Sequence, residues 1–102
     1  MSEITALSAS ALADALAAGE LSSVEITSAH LERIEATEST LGSFLARSEN
    51  ALDVAAESDA RRKAGSAFSA LDGIPIAIKD VLCTTDMVTT AGSRILEGWT
   101  PP

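Results

Sequence analysis

The clearest alternation of hydrophobic and polar positions lies in LSSVEITSAHLERIEAT, residues 21–37, and it predicts an amphipathic helix. Ser22 and Glu25 have the spacing of a capping box, in which each side chain accepts a hydrogen bond from the other residue's backbone N–H. Leu21 and Ile26 match the apolar staple that accompanies such a cap. At helical spacing, the stripe expected to face the core consists of Val24, Thr27, Leu31 and Ile34, with Ile26 and His30 at its border.

A shorter helix is predicted before it by LSASALADALAAG, residues 7–19. Ser8 is the expected N-terminal cap, and Leu7 and Leu12 are the flanking staple. Gly19 is the residue expected to end this helix, because glycine readily adopts the left-handed conformation that follows a last turn.

A third helix is predicted from about Glu49 to Ala64, with Gly65 as its stop. Basic residues at 61–63 complement the negative end of the helix dipole. Opposite charges at helical spacing are expected to form two ion pairs on a solvated face, Glu57–Arg61 and Asp59–Lys63.

After the small-residue link GSAFSALDG the pattern changes to the alternation of a strand. Residues 74–78, IPIAI, are apolar on both faces until Lys79, which suits a strand covered on two sides in a layered α/β protein. Pro75 lies near the strand's start, where a missing N–H costs least. A second, short strand is expected at about Ser43–Arg47, and the tail predicts a loop with one helical turn at Arg94–Glu97.

Composition and charge narrow the classes of partner. The net charge is −8, and the sequence shows no basic face. An acidic surface repels phosphate, so direct binding of nucleic acid by these residues is improbable, and adsorption to anionic membranes is disfavoured. No apolar run approaches the length of a membrane span, and the start lacks the features of a signal peptide. With Cys83 as the sole cysteine, the sequence predicts a soluble cytoplasmic protein without an internal disulfide.

Lys79 is the strongest candidate for chemistry, because it ends the apolar segment where a buried strand is expected to meet a polar loop. A lysine acts as a general base only when neutral, so its ordinary pKa of about 10.4 has to fall by several units. Burial can supply that shift, since it destabilises the charged ammonium form. Asp80 is expected on the opposite face of the strand and need not pair with the cation. The alternative is an exposed lysine at a strand end.

Other reactive side chains have simpler interpretations. Cys83 raises the alternative of a cysteine hydrolase with a lysine partner, but a small buried side chain is the preferred interpretation. His30, the sole histidine, is interpreted as a packing or half-exposed residue because no second metal ligand lies near it. Several hydroxyls could line a polar pocket, although satisfying loop backbone groups is preferred for them: Thr84, Thr85, Thr89, Thr90 and Ser93.

The stretch LDGIPIAIKDVLCTTDMVTTAGSRILEGW, residues 71–99, resembles the opening part of the amidase signature family. In that family the motif G-[IV]-P-[IV]-x-[IV]-K-D introduces the catalytic lysine, which Lys79 matches, while Asp80 matches a neighbour whose role looks structural. The continuation TTDMVTTAGSRILEGW looks specifically like the branch formed by the A subunits of tRNA-dependent amidotransferases. Residues 22–45 are similar to the N-terminal helices of that branch.

The resemblance implies a Ser–Ser–Lys mechanism, in which the neutral lysine withdraws a proton through a cis-configured serine and a second serine attacks the amide carbon. In that branch the substrate is glutamine, and the ammonia released passes to a partner subunit. The resemblance also implies B and C subunits as partners, with misacylated tRNA bound through the B subunit. No cofactor is implied for the A subunit itself, since the partner subunit uses ATP and magnesium.

The resemblance further implies an α/β fold overall, α+β within residues 1–102, with N-terminal helices and the first strands of an α/β/α layered domain around a mixed central sheet. Residues 1–66 would be the helical N-terminal region, and residues 67–102 would provide the first core strand, the lysine motif and the following loop. No GSSGGS-like or GSDTGGS-like stretch is present, so both serines are expected outside residues 1–102. Residues 1–102 are expected to be the N-terminal portion of a single amidase domain. Without the two serines, they are expected to be inactive alone. A stand-alone amidase and a non-catalytic helical interaction module are the alternatives.

Overall fold

Residues 2–102 are described by a computed structural model, in which helices occupy the part before residue 64 and turns and loops the part after it. The α-helices are α1 (Ser2–Thr5), α2 (Ala9–Ala17), α3 (Ser23–Leu41) and α4 (Ala51–Lys63). A short 3-10 turn at Arg94–Leu96 confirms the helical turn predicted for the tail. Within residues 2–102, no helix combines the length and the apolar character needed to cross a bilayer.

Helix α2 begins and ends as its sequence predicts. The side chain of Ser8 accepts a hydrogen bond from a first-turn backbone N–H at 3.1 Å, and Gly19 is left-handed with a φ of +73°. The N–H groups of Gly19 and Glu20 donate to the carbonyls of Leu16 and Ala15. This pair of hydrogen bonds is a Schellman motif, which satisfies carbonyls that the helix itself leaves free.

Helix α3 has the predicted capping box and one cap that the sequence did not reveal. The N–H of Glu25 donates to Ser22 Oγ at 3.0 Å, and the N–H of Ser22 donates to Glu25 Oε1 at 3.1 Å. The carboxylate of Asp59, on α4, accepts the N–H groups of Ser23 at 2.6 Å and Val24 at 3.1 Å. A negative charge at this end of a helix is favourable for the helix dipole, so α4 stabilises the start of α3.

The buried face of α3 is rotated away from the predicted stripe, so that prediction is wrong in part. The face consists of Ser23, Ile26, Thr27 and Ala29. Ile26, predicted at the border, is fully buried at the centre of the core, whereas Val24, Leu31 and Ile34 are only half-buried. The cause is the packing of α1 and α4 against α3, which leaves Leu31 and Ile34 beside an open cleft.

The hydrophobic core is small and lies between the N-terminal helices. Leu21 and Ile74 pack against its edge, so the first residue of the IPIAI segment belongs to the core. The buried members are Ile4, Leu12, Leu16, Ile26 and Ala29. Helix α4 adds only the small side chains of Ala55 and Ser58 to the buried interior.

The two ion pairs predicted within α4 do not form, and distant partners explain why. Among residues 2–102 the ion pairs are Arg61–Asp72 and Arg47–Glu35. Arg61 binds a carboxylate outside its own helix, and Asp59 caps α3 instead of pairing with Lys63. The basic end of α4 is therefore a partly buried contact surface rather than the solvated face that was predicted.

Both strand predictions are wrong for the described residues, which are helical with no strand. Residues 74–79 have no regular secondary structure, and Ile76 is 77% exposed. A strand needs a neighbouring strand to satisfy its backbone N–H and C=O groups, and residues 2–102 provide none. Near the second predicted strand, the N–H of Phe44 donates to both carboxylate oxygens of Glu38 at 2.8 and 3.0 Å, so it is held by the end of α3 instead.

Two serines fix the point where the chain enters the IPIAI segment. Ser23 Oγ donates to the carbonyl of Gly73 at 2.6 Å, and Gly73 has a φ of +102°. A Cβ at this position would lie 2.7 Å from Ser58 Oγ and 3.0 Å from Ser23 Cβ. Only glycine combines this backbone conformation with so close an approach to α3 and α4.

Replacing Gly73 with alanine tests that close approach, with Gly19→Ala as the matched control. Both glycines have positive φ, but a Cβ at Gly19 meets nothing within 4 Å. We expect Gly19→Ala to lower the free energy of unfolding by about 1 kcal/mol for the left-handed backbone. Gly73→Ala should cost about 1–3 kcal/mol more, since it also overpacks the contact with the serines. Urea unfolding followed by circular dichroism measures both, and equal losses would contradict the close approach.

Candidate active site

Lys79 lies at the end of the irregular 74–79 segment, on the wall of a cleft of about 800 Å³. Helix α3 forms one side of this cleft and residues 75–98 form much of the other. The backbone carbonyl of Lys79 accepts the N–H of Leu82 at 3.0 Å, which closes a turn directly after the lysine. The apolar part of the lining includes Leu31, Ile34, Phe44, Ile76 and Ile78.

The Lys79 side chain is exposed, and it takes part in neither ion pair of residues 2–102. The sequence-based hypothesis requires an amine that is shielded from water. The described residues place Lys79 beside an apolar cleft without covering it. Its catalytic role therefore stays a prediction that these contacts do not test.

The segment that contains Lys79 is fixed at its start by a carboxylate, which we call the Asp72 anchor: Asp72 with Arg61, Ser58 and Phe68. The Arg61 guanidinium donates to both carboxylate oxygens, from Nη2 at 2.7 Å and from Nε at 2.8 Å. Ser58 Oγ donates at 2.8 Å and the N–H of Phe68 at 3.0 Å. The same guanidinium lies 4.2 Å from the centre of the Phe68 ring, a cation–π contact.

The charges of the Asp72 anchor stabilise one another. The hydrogen bonds from Arg61, followed by that from the Phe68 N–H, hold the pKa of the Asp72 carboxyl well below its usual range. The hydrogen bond to Asp72 in turn raises the pKa of Arg61. The Asp72 side chain is only 5% exposed, so a bidentate cation with two further donors is what such a buried anion requires.

A second carboxylate fixes the end of the segment, in an arrangement we call the Asp80 clasp: Asp80 with Thr90, Ala91 and Gly92. Oδ1 of Asp80 accepts the N–H of Thr90 at 2.8 Å, and Oδ2 accepts the Thr90 hydroxyl and, at 3.4 Å, the N–H of Gly92. The backbone carbonyl of Asp80 accepts the N–H of Ala91 at 2.9 Å. The Thr90 hydroxyl, followed by the Thr90 N–H, lowers the pKa of the Asp80 carboxyl. These contacts agree with the structural role expected for Asp80.

The hydroxyls of the loop mostly satisfy backbone groups, as the preferred interpretation holds. Thr89 is buried, and its hydroxyl donates to the carbonyl of Leu82 at 3.3 Å. Its N–H donates to the carbonyl of Trp99 at 3.0 Å, which joins the two ends of the loop. Ser93 caps the 3-10 turn by accepting the N–H of Ile95 at 3.2 Å.

The remaining candidates do not assemble into a second site. His30 is half-buried, and its Nδ1 donates to the carbonyl of Ile26 at 2.8 Å, as a packing residue would. Cys83 is exposed, so its interpretation as a buried apolar side chain is wrong. The part of the chain that the structure describes contains no group of three or more His, Cys, Asp or Glu side chains able to hold a metal ion.

Sequence reasoning missed the Asp72 anchor and the pairing of Asp80 with Thr90. The Asp-Gly pair at 72–73 is a recognised turn signal and could have marked the first. Nothing in the spacing of Asp80 and Thr90 indicates a contact, because the intervening loop has no regular period. Arg61 was assigned to a partner one helical turn away, which is the nearest choice that a linear pattern offers.

Comparison with protein families matches residues 25–102 to the family described as Amidase. This range includes most of α3, all of α4, both carboxylate arrangements and Lys79. The comparison with solved structures gave no match.

Among curated proteins, the chain is similar over its whole length to the A subunits of glutamyl-tRNA(Gln) amidotransferases. It is 52% identical to the A subunit from Salinispora arenicola and 55% identical to that from Chloroflexus aggregans. The protein of the same name from Renibacterium salmoninarum is 52% identical. The alignments cover 100% of this chain and 20–21% of those proteins, so the chain spans about a fifth of their length.

The Asp72 anchor predicts a specific dependence of stability on pH. Because the folded-state pKa of Asp72 is depressed, its ionised form stabilises the fold above the ordinary carboxyl value of about 3.9, and this contribution is lost as the pH falls further. Asp72→Asn should therefore be less stable than the wild type by a constant amount between about pH 5 and pH 8, and the difference should shrink below about pH 4.

Urea unfolding across this pH range measures the effect, with Asp14→Asn as the control. Asp14 is exposed on α2, so its replacement should change stability little at any pH. A difference between wild type and Asp72→Asn that does not shrink in acid would show that the anchor's charge is not what stabilises the turn.

Proposed function

Because this chain belongs to the amidase family, we propose that it is the N-terminal part of the glutamine-hydrolysing A subunit of a tRNA-dependent amidotransferase. The observation on which this rests is identity of 52–55% over the whole chain to proteins with that name in several bacteria. The activity, substrates and partners of the whole protein are part of the proposal. The names of the relatives favour this assignment over a stand-alone amidase.

In this proposal Lys79 is the general base of a Ser–Ser–Lys triad. Its neutral amine accepts a proton through one serine, and a second serine attacks the carboxamide carbon of glutamine. The amide nitrogen leaves as ammonia, and water then hydrolyses the acyl-enzyme. Both serines would belong to residues outside 1–102, and those residues would also supply the shielding that Lys79 lacks among the described ones.

Residues 1–66 would be the helical N-terminal region of the amidase domain, and residues 67–102 its lysine-bearing segment and following loop. The segment from Ile74 to Lys79 would become the first core strand once neighbouring strands cover it. Its exposed side chains support this, since Ile76 is 77% and Ile78 48% exposed in the described residues. Apolar surface of this kind is covered either by further chain or by a partner, and the identity to the amidotransferase subunits favours further chain over the partner of a helical interaction module.

The proposed partners are those of the amidotransferase branch that the relatives' names indicate. Ammonia would pass to a B subunit that binds misacylated tRNA and uses ATP with magnesium to activate its carboxylate, and a C subunit would complete a cytoplasmic heterotrimer. The A subunit itself would need no cofactor. The net charge of −8 supports leaving tRNA contact to another chain, because an acidic surface repels phosphate.

Replacing Lys79 in the full-length protein, in complex with its partners, tests the proposed role. Lys79→Ala should lower kcat for ammonia release from glutamine by about a thousand-fold, within the range for loss of a general base, and leave KM little changed. Lys63→Ala is the matched control, because Lys63 is the other lysine of this chain and is exposed at the end of α4. Comparable activity of the two variants would contradict the assignment.

The 102-residue chain by itself should release no ammonia from glutamine, since it has the proposed base without the proposed nucleophile. A coupled assay for ammonia with the purified chain measures this directly. Ammonia release that Lys79→Ala abolishes would mean that the nucleophile lies within residues 1–102, and the triad proposed here would be wrong.

A further inference from the structure

The loop after Lys79 folds back so that three consecutive residues donate to the residue beside the lysine. Thr90, Ala91 and Gly92 all direct N–H groups at Asp80, and Thr90 adds its hydroxyl. These contacts span ten to twelve positions of a loop without strands or α-helix. So many hydrogen bonds from one short stretch fix the orientation of the peptide unit that follows Lys79.

The backbone of the clasp is strained. Ala91 has a φ of +52° and is the one non-glycine residue with positive φ in residues 2–102. Gly92 follows with a φ of +72°. An alanine adopts this conformation at a cost, because its Cβ approaches the carbonyl oxygen. Strain of this kind persists only where the surroundings impose it, and it is concentrated at functional sites.

The position of the Asp80 carboxylate matters for Lys79. The two residues are adjacent and line the same cleft, yet they form no ion pair in the described part of the chain, where the ion pairs are Arg61–Asp72 and Arg47–Glu35. A carboxylate that pairs with a lysine stabilises the ammonium form, which cannot act as a base. The clasp occupies both oxygens of Asp80 with donors from the loop.

We propose that Thr90 is a positioning residue for the base: through the Asp80 clasp it keeps the Asp80 carboxylate on the loop and away from the Lys79 amine. This inference rests on the proposed function, in which Lys79 is the general base. The Lys-Asp sequence places an anion next to a lysine that has to become neutral, and the loop geometry keeps the two charged groups apart.

Other charged groups share the cleft with Lys79 and could also act on it. Arg47 is paired with Glu35, a residue that does not line the cleft. The Asp86 carboxylate accepts a hydrogen bond from Ser48 Oγ at 3.1 Å. Among these groups, Asp80 is the one joined to Lys79 by a peptide bond and held by the strained loop. The charged and titratable groups of the lining, apart from Lys79, are His30, Arg47, Asp80, Asp86, Arg94 and Glu97.

The test compares Thr90→Val with Thr90→Ser in the full-length protein in complex with its partners, by the pH profile of kcat/KM for ammonia release from glutamine. Valine keeps the shape but removes the hydroxyl donor, so Asp80 can turn and pair with Lys79. The acidic limb should move to higher pH by about one unit, the size of shift that a neighbouring opposite charge produces. Activity at neutral pH should fall by about ten-fold as a result. Serine keeps the hydroxyl and should leave the limb in place.

A double variant separates charge from packing. Asp80→Asn combined with Thr90→Val has no carboxylate to pair with the lysine, so its acidic limb should return to about the wild-type position. If Thr90→Val does not fold, Asp80→Asn alone gives the decisive profile: its limb should stay near the wild-type position, because the clasp already keeps the carboxylate from Lys79. A fall of about one pH unit would show that Asp80 pairs with Lys79 in the wild type and would overturn the proposal. A limb that rises in either asparagine variant overturns the proposal.

The outcomes distinguish this inference from the proposed function. An active Lys79→Ala enzyme would overturn the function and the clasp proposal together. An inactive Lys79→Ala enzyme with matching profiles for Thr90→Val and Thr90→Ser would overturn the clasp alone and leave the base assignment standing.

Discussion

The buried carboxylate of Asp72 joins the helical half of this protein to the segment that contains Lys79. It binds Arg61 through both oxygens and accepts further hydrogen bonds from α4 and from the turn itself. The next residue, Gly73, approaches α3 and α4 too closely for any side chain. These two residues therefore fix the point where the chain leaves the helices, and the start of the segment that contains Lys79 depends on this contact.

The segment that contains Lys79 is fixed at its two ends, and within residues 2–102 its interior has no such contacts. Asp72 fixes its start and Asp80 its end, whereas Ile76 and Ile78 have neither strand partners nor a covering layer among the described residues. A segment of this kind acquires a regular conformation only when other strands satisfy its backbone. The two carboxylates thus set the ends of the proposed first core strand, and the proposal assigns the covering of its interior to strands outside residues 1–102.

The parts of the fold that local chemistry determines could be predicted from the sequence. The Ser8 cap, the Ser22–Glu25 capping box and the glycine after α2 lie within one helical turn of their partners, so a linear pattern contains them. The Arg61–Asp72 pair and the Asp80–Thr90 contact join residues ten or more positions apart, and no periodicity encodes them. The strand predictions failed because a strand also depends on neighbours that residues 2–102 do not provide. Lys79 was identified through its motif, but its exposure among these residues and the role of Thr90 depend on how the loop folds back.

A crystal structure of the full-length protein in its assembly tests the central claim most directly, that the segment between the two carboxylates presents Lys79 as a base. The account predicts the Nζ atom of Lys79 within about 2.6–3.2 Å of a serine hydroxyl, the reach of a general base. It also predicts that Asp80 remains bound by Thr90 and Gly92. A Lys79 amine paired with the Asp80 carboxylate, or one that faces solvent without a serine beside it, would contradict the account.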